Sequence, residues 1–316
     1  MKIGFVYAGQ GSQRVGMGAD IYGEFEEFRT AFDAGVQAAA AETGVDIKDL
    51  CFNGPIEKLS LTEYTQPAMV AFAAGVTEVL KANGIIPEYA LGLSLGEYSA
   101  LYAAEALDAA EVTRLVAKRG RFMTEAAKGL EVGMAAVLGT DRDVIAGCCE
   151  KARKETGKVV SAANYNCPGQ IVISGEKAAV DRCCELLKEA GTKRIVPLNV
   201  SGPFHTALMK KAGDMLAREF ESVGFKKPVF DVIFNATGRT LEEGQTIESL
   251  LEKQVQSLVY LEDSIRLMGE KGVDTFVEIG PGKVIGGFIK KTLQDVRILG
   301  IDTAEDLRAV IAQLKG

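Results

Sequence analysis

The amino-acid sequence predicts an α/β fold with a mostly parallel sheet, interrupted by a smaller unit of different topology. Strand and helix signals alternate along most of the 316 residues, as they do in parallel α/β sheets. From about residue 130 the order becomes strand–helix–strand–strand–helix–strand, the ferredoxin-like pattern. We therefore expect residues 1–129 and 199–316 to form a discontinuous large α/β domain, and residues 130–198 to form a small ferredoxin-like domain inserted into it.

The first elements of the large domain are two buried strands, each followed by a glycine-containing turn. Residues 3–7 are predicted to form a strand that leads into the loop Gly9-Gln10-Gly11-Ser12-Gln13. This loop has neither the G-x-G-x-x-G nor the G-K-[ST] spacing, so it gives little support for a nucleotide site. Residues 89–93 are predicted to form a strand and residues 95–104 a helix. Residues 109–127 are predicted to form an amphipathic helix.

The predicted elements of the small domain alternate quickly between strand and helix. They are strand 133–138, helix 141–155, strands 159–164 and 170–174, helix 176–190 and strand 194–198. Asn166 and Gln170 are expected in a structural turn between the two middle strands.

Ser94 is the strongest candidate for a catalytic residue. It lies in Gly92-Leu93-Ser94-Leu95-Gly96, the G-x-S-x-G spacing of a nucleophile elbow, between a predicted strand and a predicted helix. This context favours a hydrolase-like large domain. A helix N-terminus next to the serine would offer backbone N–H groups to an oxyanion, and a second donor can come from the loop of another strand.

His205 is the only histidine in the chain, so it is the one candidate for an imidazole base that activates Ser94. The insertion lies between the two residues in sequence, which places the expected active site in the cleft between the domains. Arg119 falls on the apolar stripe of the helix 109–127. A buried arginine there could bind a carboxylate with paired, charge-assisted hydrogen bonds; the alternative is an arginine on an exposed helix face.

Composition and charge exclude several other classes of function. The chain is 47% apolar and 25% charged, as in ordinary globular proteins, and contains no apolar run as long as a membrane span. A net charge of −7 disfavours nucleic acid as a partner. The six cysteines have no C-x-x-C spacing and no clustered histidine, so we expect no metal site, and we expect reduced thiols and a cytoplasmic location.

Five sequence blocks, in order along nearly the whole chain, resemble the malonyl-CoA:acyl carrier protein transacylase family. They are Gly9-Gln10-Gly11-Ser12-Gln13, the Gly92-Leu93-Ser94-Leu95-Gly96-Glu97 block, Asn164-Tyr165-Asn166-Cys167-Pro168-Gly169-Gln170, Gly202-Pro203-Phe204-His205 and Glu278-Ile279-Gly280-Pro281-Gly282.

The resemblance implies a role for each matched residue. Ser94 would be the acylated nucleophile and His205 the general base of a Ser–His dyad. The backbone N–H groups of Gln10 and Leu95 would form the oxyanion hole. Arg119 would bind the malonyl carboxylate, Phe204 would exclude branched acyl groups, and the carbonyl of Gln254 would orient His205.

The resemblance also implies malonyl-CoA and acyl carrier protein as substrates, with coenzyme A and the phosphopantetheine arm entering as substrate groups and no bound cofactor. The enzyme would supply fatty-acid elongation, and we expect a monomer. Three dibasic pairs are candidates for a carrier interface: Lys193-Arg194, Lys210-Lys211 and Lys290-Lys291. The chain departs from the family at Leu93, where the family usually has histidine, which leaves the acyl selectivity open.

Three other functions share much of this pattern. A serine hydrolase or thioesterase would use the same nucleophile and base. A trans-acting polyketide synthase acyltransferase would have nearly the same residues. A non-catalytic subunit that binds a carrier protein would explain the departure at Leu93.

Overall fold

A computed structural model describes residues 1–315 of the chain and contains two separate β-sheets. The strands, in chain order, are β1 (Ile3–Tyr7), β2 (Tyr89–Gly92), β3 (Val132–Leu138), β4 (Val160–Cys167), β5 (Gln170–Glu176), β6 (Arg194–Pro197), β7 (Asp231–Ile233), β8 (Thr275–Ile279) and β9 (Arg297–Ile301).

The helices surround and connect these sheets. In chain order they are α1 (Ala19–Glu24), α2 (Glu26–Thr43), α3 (Ile47–Asn53), α4 (Ile56–Leu59), α5 (Thr62–Ala82), α6 (Gly96–Ala103), α7 (Ala109–Ala127), α8 (Arg142–Thr156), α9 (Lys177–Glu189), α10 (Lys210–Phe220), α11 (Ile247–Gln256), α12 (Leu261–Glu270), α13 (Val284–Thr292) and α14 (Ala304–Lys315), with a 3-10 turn at Ala207–Met209.

The first sheet is fully parallel, with the strand order β7-β2-β1-β8-β9. Tyr7 pairs with Gly92 and with Ile279, so the carboxyl ends of the three central strands meet at one edge of the sheet. Ligands of open α/β sheets bind outside this edge. The predicted parallel α/β fold is confirmed.

The second sheet is fully antiparallel, with the strand order β4-β5-β3-β6, and α8 and α9 are the helices of this unit. Its β3-α8-β4-β5-α9-β6 chain order and its strand order are those of a ferredoxin-like fold, so this prediction is also confirmed. The division at residues 129/130 and 198/199 stays a prediction.

One predicted turn in this sheet is wrong. Asn166 lies inside β4 and Gln170 begins β5, so only Pro168 and Gly169 form the turn. The predicted strand ends at Asn164, but β4 continues to Cys167 and pairs with β5 through two register shifts. These side chains can therefore face a cavity from a strand.

Contacts between the two sheet units fix the cleft that separates them. Val259 forms a parallel bridge to β4: it donates to the Ala163 carbonyl and accepts from the Tyr165 N–H, each at 2.9 Å. Arg142, at the start of α8, pairs with Glu262 and Asp263 of α12 at 3.0 Å. No helix within residues 1–315 is both long enough and apolar enough to cross a membrane.

The turn between β2 and α6 packs without space for side chains. A Cβ atom at Gly92 would lie 1.9 Å from the Gly96 carbonyl carbon, and one at Gly96 would lie 2.2 Å from the Tyr7 oxygen. Only glycine allows α6 to approach the ends of β1 and β2 this closely. The G-x-S-x-G spacing is thus a packing requirement of the turn.

We predict that Gly92→Ala destabilises the protein and displaces Ser94, because the added methyl group meets backbone atoms that cannot rotate away. Overpacking of this kind costs about 1–3 kcal/mol or more. Urea unfolding would measure the loss. The matched control is Gly147→Ala in α8, where a Cβ atom meets nothing within 4 Å. There we expect a gain of up to about 1 kcal/mol from helix propensity. Equal stability of the two variants would contradict the packing argument.

Candidate active site

Ser94 lies on the turn between β2 and α6 in a left-handed backbone conformation, with φ 52°. A residue with a side chain pays a steric cost in this region of φ. Two hydrogen bonds hold its peptide groups: the N–H donates to Asn235 Oδ1 at 2.6 Å, and the carbonyl accepts from Gln254 Nε2 at 2.8 Å. This conformation points the hydroxyl into a cavity.

The cavity has a volume of about 580 Å³ and lies at the carboxyl edge of the parallel sheet, against strands of the ferredoxin-like unit. The structure brings six of the seven predicted site residues to its wall, and the seventh, Gln254, lies buried behind it. The six are Gln10, Ser94, Leu95, Arg119, Phe204 and His205.

His205 is buried, and its Nδ1 atom lies 2.9 Å from the carbonyl oxygen of Gln254. A carbonyl only accepts, so Nδ1 carries the proton and Nε2 is left as the basic nitrogen. Burial lowers the pKa of the imidazole to about 4, and the positive charge of Arg119 contributes to this lowering. The backbone carbonyls of Gln254 and Ser257 oppose this shift, because they favour the protonated ring. At neutral pH His205 is therefore uncharged and able to accept a proton.

Arg119 projects from α7 and is the largest fully buried side chain in residues 1–315, with 1% of its surface exposed. Its Nη2 donates to Ser94 Oγ and to Gln254 Oε1, each at 3.0 Å. Its Nη1 donates to Gln66 Oε1 at 2.9 Å, whereas its Nε has no partner within residues 1–315.

The charge of Arg119 is not neutralised by a carboxylate. None of the described residues forms a salt bridge with it, and all three of its hydrogen-bond acceptors are uncharged. Glu97 is nearby, but burial raises the pKa of its carboxyl to about 8, so it is mostly protonated at neutral pH. A buried, unpaired guanidinium beside Ser94 favours an anion in the cavity.

Gln254 connects the three groups through both its backbone and its side chain. Its backbone carbonyl accepts from His205, its side-chain oxygen accepts from Arg119, and its side-chain nitrogen donates to the Ser94 carbonyl. The resemblance implied only the contact of the carbonyl; the two side-chain contacts are additional. Gln254 is fully buried near the end of α11.

The backbone N–H groups of Gln10 and Leu95 face the same cavity from two different elements. Gln10 follows β1, and Leu95 directly precedes α6. Neither N–H is paired with a backbone or side-chain acceptor in the part of the chain that the structure describes. Both groups are available as donors to an oxygen next to Ser94.

The remaining wall of the cavity is mixed in character. Leu93 and Phe204 are half-buried apolar residues next to Ser94 and His205, and Phe204 also packs on the main core. Asn164 and Asn166 enter from β4, and the Oδ1 atom of Asn166 is buried without a hydrogen-bond partner among residues 1–315. Asn166 therefore lines the cavity while its buried Oδ1 atom has no partner among the described residues.

Sequence reasoning missed three buried residues that support the site: Gln66, Glu97 and Asn235. Gln66 is a polar residue within the apolar helix α5, and Glu97 is a carboxylate in the otherwise apolar helix α6, so both were detectable as charged or polar residues at core positions. Asn235 follows a three-residue strand and gave no such signal.

No cluster of three or more metal-ligating side chains occurs within residues 1–315. Cys149 and Cys183 pack against each other in the small unit, with their sulfur atoms 3.6 Å apart.

Comparison with known proteins agrees with this geometry. The family model described as an acyl transferase domain matches residues 4–311. The chain belongs to the acyl transferase family. Its sequence is 40% identical over 314 residues to the malonyl CoA-acyl carrier protein transacylase of Bacillus subtilis, covering 99% of this chain and 98% of that protein.

The fold of this acyl transferase is also similar to solved structures of malonyl transacylases. MCAT from Streptococcus pneumoniae has a TM-score of 0.92 and 41% identity, covering 99% of this chain and all of that one (100%). A malonyl-transacylase solved in complex with its type II PKS acyl-carrier protein has a TM-score of 0.92 and 35% identity, covering 99% and 100% of the two chains.

We predict that the imidazole of this acyl transferase stays neutral far below the usual pH. Because His205 is the only histidine, a single Hε1 proton resonance reports its titration. The resonance should not move between pH 8 and about 5.5, since burial holds the pKa at about 4. Arg119→Gln should raise the midpoint, because it removes a positive charge. A midpoint at the ordinary value of about 6.5 would contradict the prediction.

Proposed function

We propose that this protein transfers a malonyl group from malonyl-CoA to the phosphopantetheine thiol of acyl carrier protein, through a malonyl ester of Ser94. The observation that carries the proposal is the buried, unpaired guanidinium of Arg119, 3.0 Å from the nucleophile's oxygen. Malonyl-CoA differs from acetyl-CoA by one carboxylate, and this is the group that such an arginine selects. The relatives described above are named for this activity.

Binding of the carboxylate also releases the nucleophile. Arg119 Nη2 donates to Ser94 Oγ, and a hydroxyl oxygen that accepts from a cation is a poorer nucleophile. A malonyl carboxylate competes for that donor and displaces the neutral hydroxyl, since it carries a full negative charge and can accept two parallel hydrogen bonds from the guanidinium. Acyl groups without a carboxylate leave the hydrogen bond from Arg119 to Ser94 Oγ in place.

The first half of the reaction begins when Ser94 Oγ attacks the thioester carbonyl carbon and its proton passes to His205 Nε2. The N–H groups of Gln10 and Leu95 stabilise the oxyanion. The carbon–sulfur bond then breaks, and the coenzyme A thiolate takes the proton from His205. The N–H of Ser94 is already bonded to Asn235, so the oxyanion has to use the other two donors.

The second half repeats these steps with the carrier thiol. His205 takes the thiol proton, the sulfur attacks the malonyl ester, and Ser94 leaves with the proton returned to its oxygen. Coenzyme A and the phosphopantetheine arm act as substrate groups, and no step needs a bound cofactor. All of these groups come from one chain, so we propose that the monomer is the catalytic unit.

Among the three dibasic pairs, Lys193-Arg194 is the best candidate for contact with an acidic carrier. It begins β6, an exposed edge strand, and Leu198 at the other end of that segment lines the cavity. Lys193 and Arg194 form no ion pair with residues 1–315. Lys210 and Lys211 already pair with Asp214 and Glu125.

We predict that brief exposure to malonyl-CoA adds one malonyl mass to the protein, that Ser94→Ala abolishes the adduct, and that holo carrier protein discharges it. Acetyl-CoA should give little adduct. Arg119→Ala should lose at least about a hundredfold in malonylation rate, because breaking a buried ion pair costs about 3–5 kcal/mol. Intact mass spectrometry measures each case. Free coenzyme A released without an adduct would indicate a hydrolase instead, and an inert protein would contradict catalysis.

We predict that Phe204→Ser raises turnover of methylmalonyl-CoA relative to malonyl-CoA, because a smaller side chain next to His205 makes room for the branch. The ratio of the two kcat/KM values measures the effect. Leu198→Ser, at another apolar residue that lines the cavity, is the control and should leave the ratio near that of the wild type. An unchanged ratio in Phe204→Ser would remove the steric role.

A further inference from the structure

The parallel pairing between β2 and β7 ends just before the nucleophile. Leu91 pairs with Ile233, the last residue of β7. Beyond this point β2 turns into the elbow, and the chain after β7 enters a turn that contains Asn235. The backbone groups of the elbow therefore lose their strand partner where the turn is tightest. A buried peptide group without a hydrogen bond is costly.

The side chain of Asn235 replaces the missing strand. Its Oδ1 accepts from the Ser94 N–H at 2.6 Å, and its Nδ2 donates to the Gly92 carbonyl at 2.7 Å. A primary amide offers one acceptor and a donor in the same plane, as a backbone peptide group does. One side chain thus satisfies the two peptide groups on either side of Leu93.

Asn235 is itself held in a fixed position. Its backbone N–H donates to Glu97 Oε2 at 2.6 Å, its backbone carbonyl accepts from the Tyr260 N–H at 2.9 Å, and the residue is fully buried. Glu97 belongs to the first turn of α6, directly after the elbow. The hydrogen bonds close a ring from β2 through the elbow and α6 back to Asn235.

We propose that Asn235 is a positioning residue for the transfer reaction: its amide holds Ser94 in the left-handed conformation that presents the hydroxyl and the Leu95 N–H to the cavity. The role of Asn235 in malonyl transfer rests on the proposed function. The effect of Asn235 on the conformation of Ser94 does not depend on which acyl group is transferred.

The test compares Asn235→Ala with Asn83→Ala. Asn83 also donates from Nδ2 to a backbone carbonyl, that of Val79 at 2.8 Å, but it lies at the end of α5 and does not line the cavity. The first measurement is the rate at which a fluorophosphonate probe labels Ser94, which needs no knowledge of the acyl donor. The second is kcat and KM for malonyl-CoA.

We expect Asn235→Ala to slow both the labelling and kcat by about a hundredfold, the effect of displacing a reacting group by roughly 1 Å. The KM for malonyl-CoA should change by less than about threefold, since Arg119 keeps its contacts with Gln66 and Gln254. Asn83→Ala should leave both rates unchanged. Hydrogen–deuterium exchange should increase in the peptide that contains Ser94 only in the Asn235 variant.

Asn235→Asp is the conservative variant and also serves if the alanine variant does not fold. In either protonation state a carboxyl oxygen accepts from the Ser94 N–H, so labelling should be faster than in Asn235→Ala and slower than in the wild type. Three results would each overturn the proposal. They are a wild-type labelling rate in Asn235→Ala, an equal loss of labelling rate in Asn83→Ala, and an Asn235→Asp variant that is labelled no faster than Asn235→Ala. A wild type that is labelled but not malonylated would refute the proposed function alone.

Discussion

The structure depends on one tight turn, at which the second strand of the parallel sheet passes into a buried helix through Ser94. The helix approaches so closely that a Cβ atom at Gly92 or Gly96 would overlap backbone atoms. Ser94 is consequently held at φ 52°, a conformation that does not persist without surrounding hydrogen bonds. Asn235 and Gln254 supply those bonds from two distant parts of the chain. The parallel sheet, with its strand ends meeting at one edge, is the framework that brings these segments together.

The second constraint is electrical. Arg119 carries a charge in the interior without a carboxylate partner, and it lowers the pKa of the neighbouring His205. In the proposed function, this one group therefore selects the anionic substrate, and it adds to the effect of burial in keeping His205 unprotonated. Its hydrogen bonds to Gln66, Gln254 and Ser94 offset part of the desolvation cost, but they leave the charge itself to be paired by a ligand. In the proposed function, this unpaired buried charge is the source of the specificity.

The sequence predicted the elements near the site well, because each had a strong local signal. The helix α7 was predicted at residues 109–127, as found, since its apolar stripe marks it clearly. The error at Asn166 has the opposite cause: polar residues on a strand that faces a cavity resemble a loop in the sequence, because the cavity they line is formed by distant parts of the chain.

By itself, the sequence determined the α/β class, the ferredoxin-like insertion, the glycines of the turn, and the candidates Ser94, Arg119 and His205, because periodicity, glycine spacing and the single histidine are properties of the chain in order. Only the tertiary structure decided that Gln254 contacts all three groups, that Arg119 has no anionic partner, and that Asn235 completes the strand ladder at the nucleophile. Apart from the contact between His205 and Gln254, which spans 49 residues, these contacts join residues more than 100 positions apart, such as Ser94 and Asn235, 141 residues apart. Hydrogen bonds of that kind depend on packing in three dimensions, and they produce no periodic pattern in the sequence from which they could be predicted.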